Sequence, residues 1–205
     1  APAPLALPST SPTAGSGTAG PTTGAGDPAG SGTADGTWKD GGDSVVGYRI
    51  DETIFGQSNV AVGRTQSITG SLTIANSEVT TATFTVDMTT VRSDEARRDD
   101  QFDGRIMDVA TYPTSTFDLT QPIDLGTIPA DGSTRTYHAT GKLTLHGVTK
   151  TVTFTVQARR SGQTFEVAGQ IPVTFADYQI GNPSFGPVST QDHGILEFRL
   201  DFTKE

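Results

Sequence analysis

The feature that most narrows what this chain can fold into is a period of two in its apolar residues, sustained over unusually long runs. Ile68, Gly70, Leu72 and Ile74 alternate with Thr69, Ser71 and Thr73, and Ala82, Phe84, Val86 and Met88 alternate with Thr83, Thr85 and Asp87. Tyr137, Ala139, Gly141, Leu143 and Leu145 continue the pattern. After His146-Gly147 the chain returns with Val148, Val152, Phe154 and Val156 set against threonines. Phe165, Val167, Gly169, Ile171, Val173 and Phe175 form another such face, and Leu196, Phe198, Leu200 and Phe202 the last. Residues 45–50, 60–64 and 115–119 are shorter candidates. One apolar and one Thr-rich face per run is the signature of half-buried antiparallel strands. Runs this much longer than the usual strand of about five or six residues, with a two-residue His146-Gly147 turn, predict an all-β, closed antiparallel barrel rather than a sandwich. An immunoglobulin-like sandwich has no support: there is no Cys, and the single Trp stands at position 38.

The first 37 residues are of a different kind. Gly and Pro supply 14 of them and Ala, Ser and Thr another 19, with no aromatic or β-branched aliphatic residue. Such a tract buries too little apolar surface to offset its chain entropy. We therefore expect a disordered leader or linker over residues 1–37 and one barrel domain over residues 38–205. Spacers of this composition hold domains away from surfaces, and with a chain that starts at Ala1 as a processed form, an extracytoplasmic domain, secreted or tethered, is the expectation. The leader holds two acids and no base; the remainder carries 14 bases against 21 acids, a net of −7. That balance argues against nucleic acid and against anionic membrane surfaces. No stretch reaches the roughly 18 to 20 apolar residues of a transmembrane helix. Without Cys, disulfides and thiolate chemistry are excluded.

Two segments break the alternation. Residues 93–102 carry charges at helical spacing: Asp94 can meet Arg97 or Arg98, Ser93 or Asp94 is a fair N-cap, and Phe102 and Ile106 form a small apolar stripe. A short helix near the barrel mouth is expected. Residues 181–194 read as a long loop. His138, His146 and His193 are too scattered to chelate together and are assigned structural, exposed roles. Asp99, Asp100, Asp103 and Asp108 read as solvated loop acids. No nucleophile elbow, phosphate loop or zinc-protease motif occurs. The expectation is a non-enzyme without metal or cofactor.

Small residues dot the inner face: Gly70, Ala82, Ala139, Gly141 and Gly169. They allow either a ligand cavity or simply close strand packing. At this point the residues resemble a known family. Val45-Val46-Gly47-Tyr48, Ile68-Thr69-Gly70-Ser71-Leu72, Arg98-Asp99 followed by Phe102 and Ile106-Met107-Asp108, Tyr112-Pro113, Thr116-Phe117, the 141–150 hairpin Gly-Lys-Leu-Thr-Leu-His-Gly-Val-Thr-Lys and Phe175-Ala176-Asp177-Tyr178-Gln179-Ile180 resemble, in order, the YceI-like family. The resemblance implies an elongated, eight-stranded, lipocalin-like barrel that holds a polyisoprenoid chain, with Arg98, Asp99 and Phe102 near the opening and Phe117, Leu143 and Phe154 in the lining. Gln101 stands where many members have His, Ile106-Met107 where many have Phe-Phe, and the stretch before Tyr112-Pro113 is one residue shorter. Together with the inward faces and the mouth, the expected ligand-binding set is Phe84, Val86, Met88, Arg98, Asp99, Phe102, Ile106, Met107, Phe117, Leu143, Phe154, Phe165, Phe175, Tyr178 and Phe198. The partner expected is a polyisoprenoid or other long-chain lipid, with a dimer an open option. The alternative is a surface interaction or structural module, with a side-chain-filled barrel and residues 96–111 and 181–194 as contact surface.

Overall fold

The computed structural model describes residues 1–8, 34–128 and 131–205. The strands, in chain order, are β1 (Gly36–Asp40), β2 (Val45–Ile54), β3 (Gln57–Thr65), β4 (Ile68–Ala75), β5 (Glu78–Asp87), β6 (Arg92–Ser93), β7 (Thr114–Leu119), β8 (Ile123–Asp124), β9 (Asp131–Leu145), β10 (Val148–Ser161), β11 (Thr164–Thr174), β12 (Val188–Thr190) and β13 (His193–Lys204). A closed ring runs β1-β4-β5-β7-β9-β10-β11-β13 and back to β1, every pairing antiparallel. This is the closed antiparallel barrel that the alternation predicts, with the eight strands that the family resemblance implies. β13 pairs with β1 through its C-terminal end, Phe202 to Lys204, and with β2 through Ile195 to Arg199. The β2–β3 hairpin therefore extends the wall beyond the ring, toward the mouth.

Tight turns set the registers. His146 (φ 50°) and Gly147 (φ 74°) join β9 to β10, and Phe55 (φ 49°) and Gly56 (φ 81°) join β2 to β3. Two consecutive residues in the left-handed region match the twist of the flanking strands. The Phe55-Gly56 turn also explains why β2 and β3 run past the boundaries expected at Ile50 and Val60: it lies farther along than the apolar alternation alone suggests.

Other local expectations need correction. The helix α1 covers Ala96–Gln101 and continues as a wider turn over Phe102–Ile106. Its N-cap is Glu95, which makes no side-chain cap bond. Ser93 is not the cap because it belongs to β6, paired with Gly63 of β3. Within 181–194 the chain is not loop throughout: β12 pairs with the end of β2, Val188 against Ile54, and His193 opens β13. At the domain's start, β1 begins at Gly36, and the indole of Trp38 is fully buried, donating from Nε1 to the Ala34 carbonyl at 2.8 Å. Trp38, Phe165 (ring centroids 4.6 Å apart), Ile74 and Phe202 fill the end opposite the mouth.

Of the expected leader, residues 9–33 lie outside the described residues. Residues 1–8 lie along the outer wall. Arg49 donates to the Pro2 carbonyl at 2.6 Å, Arg64 to the Ala3 carbonyl, and Arg159 to the Pro8 carbonyl at 2.7 Å. The Leu5 N–H donates to Glu197 at 3.1 Å. Glu197 faces outward on β13, yet its side chain is 0% exposed, covered by this strap and by Arg49 and Arg64 at 3.4 and 2.7 Å. Gly47 sits opposite both Glu197 and Arg64. A Cβ there would lie 2.8 Å from Cγ of Arg64, so the glycine is what lets the arginine cross β2.

Inside the barrel the glycines do something other than leave empty space. A Cβ on Gly169 would fall 2.5 Å from Cζ of Phe198, directly across on β13. Gly70 is covered in the same way by Phe84, Gly141 by Phe117, and Gly63 by Tyr48. Each ring lies over the bare backbone of a neighbouring strand, along the wall rather than across the lumen.

Two outcomes test this packing. Glu197→Ala leaves Arg49 and Arg64 without their carboxylate and is expected to cost about 3 kcal/mol, the low end for a broken buried pair because both arginines keep some solvent; an unchanged urea midpoint would overturn the assignment. Gly141→Ala forces Phe117 off the wall and is expected to cost about 1–3 kcal/mol, read as a lower melting temperature, whereas Ala110→Gly at an exposed site shifts it far less.

Candidate functional site

The inward faces of the strands enclose an elongated apolar cavity of about 610 Å³, open at the α1 end. That volume lies within the range of sites that take up small organic ligands. Its lower part is bounded by Leu72, Ala82, Phe84, Leu200 and Phe202, which separate it from the plugged base. Midway, Phe117, Phe154 and Phe198 form a chain of edge-to-face rings, with centroids 5.4 and 5.9 Å apart, against Leu143, Val156 and Ile171. Such contacts fix ring orientation more firmly than area alone. Higher up, Tyr48 stacks on Phe102 at 5.1 Å, and Met88, Met107, Phe175 and Ile180 complete the lining. Burial pushes the Tyr48 hydroxyl well above the ordinary phenol range, so it stays neutral.

Charged groups gather near the opening, whereas lower down the Tyr137 hydroxyl donates to the Leu125 carbonyl at 3.3 Å. Arg98 on α1 donates to Glu52 on β2 at 3.1 Å and to Asp94 at 2.6 Å. Asn59 donates to Glu52 at 2.6 Å. The bond from Arg98 holds the Asp94 carboxyl below its usual range. The Arg98 guanidinium is therefore already shared between two carboxylates. Arg97, Gln101 and Arg105 stand farther out on the rim.

Of the fifteen residues expected at the site, twelve line this cavity: Phe84, Val86, Met88, Arg98, Phe102, Ile106, Met107, Phe117, Leu143, Phe154, Phe175 and Phe198. Three do not. Asp99 turns back from the mouth and accepts from the Ser93 N–H at 2.8 Å and the Ser93 hydroxyl at 2.7 Å, so it ties α1 to β6. Phe165 belongs to the base plug with Trp38. Tyr178 is buried behind the wall; its carbonyl meets Nδ1 of His146 at 3.1 Å, and its hydroxyl has no partner among the described residues. Three features of the mouth were not read from the sequence: Glu52, Phe55 and Phe185. Glu52 had a signal, since it continues the inward parity of Tyr48 and Ile50.

The histidines stay apart. His138 is exposed, His193 pairs with Asp192 at 2.8 Å, and His146 packs edge-on to Tyr112 at 4.6 Å, half-buried rather than exposed. Among the described residues no three His, Asp or Glu side chains converge as metal ligands, and no helix is long and apolar enough to cross a membrane. Chemically, the arrangement suits containment of an apolar chain: walls that are apolar along most of their length, with charged groups at one end.

The model of the YceI-like domain family matches residues 40–202. Among solved structures, a polyisoprenoid binding domain from Saccharophagus degradans implicated in plant cell wall breakdown superposes with a TM-score of 0.65 at 16% identity, covering 83% of this chain and 99% of that one. BcnA of Burkholderia cenocepacia gives 0.59 at 24% identity, with 77% and 95% covered. The YCEI protein of Campylobacter jejuni gives 0.54 at 14% identity, with 67% and 81% covered. No curated protein matches the chain in sequence. The family match spans all but the first strand of the barrel, from the last residue of β1 to the Phe202 that closes its base, and the chain belongs to the YceI-like domain family.

Proposed function

We propose that this protein binds the hydrocarbon chain of a long isoprenoid, or a similar amphiphilic lipid, inside the barrel. The observation that carries this reading is the elongated, open-ended, largely apolar cavity with its charged groups gathered at the mouth. Each buried methylene contributes about 0.8 kcal/mol, so ten of them offer about 8 kcal/mol before the costs of association. The similarity to a domain described as polyisoprenoid binding supports the same class of ligand. The cavity also disfavours the alternative of a structural module with a side-chain-filled interior.

The mouth narrows the head group. Arg98 is held by Glu52 and Asp94, so a phosphate or carboxylate would compete with two resident acids. A neutral alcohol or quinone carbonyl needs only a hydrogen bond. We therefore assign a neutral head. The role is that of a carrier or store outside the cytoplasm, a reading supported by the spacer-like composition of residues 1–37; binding without chemistry fits a mouth in which Glu52 is engaged by Arg98 and Asn59.

Organic extraction of protein from its native source, followed by mass spectrometry, is expected to release a long-chain prenyl species; an extract without any long-chain lipid would count heavily against the proposal. Ala139 is a small, buried lining residue at mid-height. Ala139→Phe displaces about three methylenes of cargo, and prenol affinity should fall about 50-fold with the melting transition still cooperative. Titration with a prenol and its monophosphate tests the head group: the neutral compound should bind at least as tightly, and a tenfold preference for the phosphate would refute that assignment.

A further inference from the structure

Among the described residues, two large apolar side chains stand out in solvent: Phe55, 82% exposed, and Phe185, 63% exposed. They are not scattered. The Phe55 N–H donates to the Pro187 carbonyl at 3.3 Å, β12 ties the Phe185 loop to the end of β2, and both rings line the cavity opening with Pro183 and Pro187. Isolated exposed phenylalanines are ordinary; two at one rim, beside the entrance to an apolar cavity, mark a contact surface.

Local structure holds both rings outward. Phe55 occupies the first left-handed position of its hairpin turn (φ 49°), where Asn, Asp or Gly is favoured and a bulky side chain is strained. Arg105, on the segment after α1, donates to the carbonyls of Asn182 and Pro183 at 3.3 and 2.9 Å, and its guanidinium lies 5.6 Å from the Phe185 ring centre. The Phe185 loop is thereby tied to the helical side of the mouth.

The rim's charge differs from that of the whole chain. Glu52, Asp94 and Glu95 are matched by Arg97, Arg98 and Arg105, while Asp99 and Asp103 bond to Ser93 and Arg92; Asp100 is the further acid on α1. These six acids and the arginines Arg92, Arg97, Arg98 and Arg105 leave the rim at a net of −2 on a chain of −9, a charge that an anionic surface repels and a zwitterionic one tolerates. We propose that the mouth docks on a neutral lipid bilayer, with Phe55 and Phe185 entering the head-group layer and the cavity opening facing the membrane. The inference draws its purpose from the lipid-binding reading, since apolar cargo would then pass between bilayer and barrel without crossing water, but its test is independent of the cargo.

The test is flotation of the full chain with phosphatidylcholine unilamellar vesicles, alongside uptake of a fluorescent apolar probe and its displacement by a long-chain prenol. Phe55→Asn suits the turn and keeps the fold; Phe185→Ser completes the pair. Each single change is expected to lower vesicle partition about tenfold and both about 100-fold, with the melting transition of the full chain retained and no gain from added phosphatidylglycerol. Wild-type protein that fails to float, or a double variant that floats equally well, overturns the proposal. So does a wild-type dimer in solution that neither floats nor survives the Phe changes, which would assign the rim to a second copy. If flotation depends on the two rings while no prenol displaces the probe, docking stands and the lipid-cargo reading fails.

Discussion

The contact on which the lumen depends is a phenyl or phenol ring laid over a glycine. Four of these pairs recur around the wall: Tyr48 over Gly63, Phe84 over Gly70, Phe117 over Gly141 and Phe198 over Gly169. Each glycine surrenders side-chain packing and some backbone entropy, and each ring covers the exposed backbone that results, a known means of stabilising glycine within sheets. Aromatic side chains that would otherwise fill a small barrel are held against its wall. The same arrangement provides mass for a stable interior and room along the axis.

Much of this was legible in the sequence because β periodicity assigns faces with little ambiguity. One-residue slips would reverse every side chain, so the inward parity of Phe84, Leu143, Phe154 and Phe198 follows directly from their runs. Parity does not assign height. Phe165 shares the inward face of β11 with Ile171, but it sits at the base because β11 begins there, beside Trp38. Nor does alternation report which glycines are covered, since that depends on cross-strand register. Gly141 and Phe117 lie 24 positions apart and meet only because β7 and β9 pair.

The mouth was harder to read, for a different reason. Its groups come from β2, from α1 and from the β12 loop, and their partners are set by packing rather than spacing. The pairing of Asp94 with Arg98, four residues on, was foreseeable. The bridge from Arg98 to Glu52 spans 46 positions and was not. Asp99 shows the converse: a residue adjacent to Arg98 in the chain accepts from the Ser93 N–H and hydroxyl and serves β6. Short acidic segments of this kind mix structural and site-facing carboxylates, and only the backbone's path separates them.

The strap on the outer wall has a mechanical consequence. Its contacts descend the barrel from Arg49, opposite Ile195 of β13, to Arg159, whose partner Glu166 faces Asp201. The chain enters the ring only later, at β1, where Trp38 is locked into the base. A pull on the amino terminus therefore meets the strap first and peels it bond by bond, Pro2 before Ala3, Leu5 before Pro8. The buried indole bears load only after Arg159 has let go of Pro8. Small sequential ruptures placed ahead of a large cooperative one make the strap a shock absorber, and the closed barrel behind it keeps its shape while the strap yields.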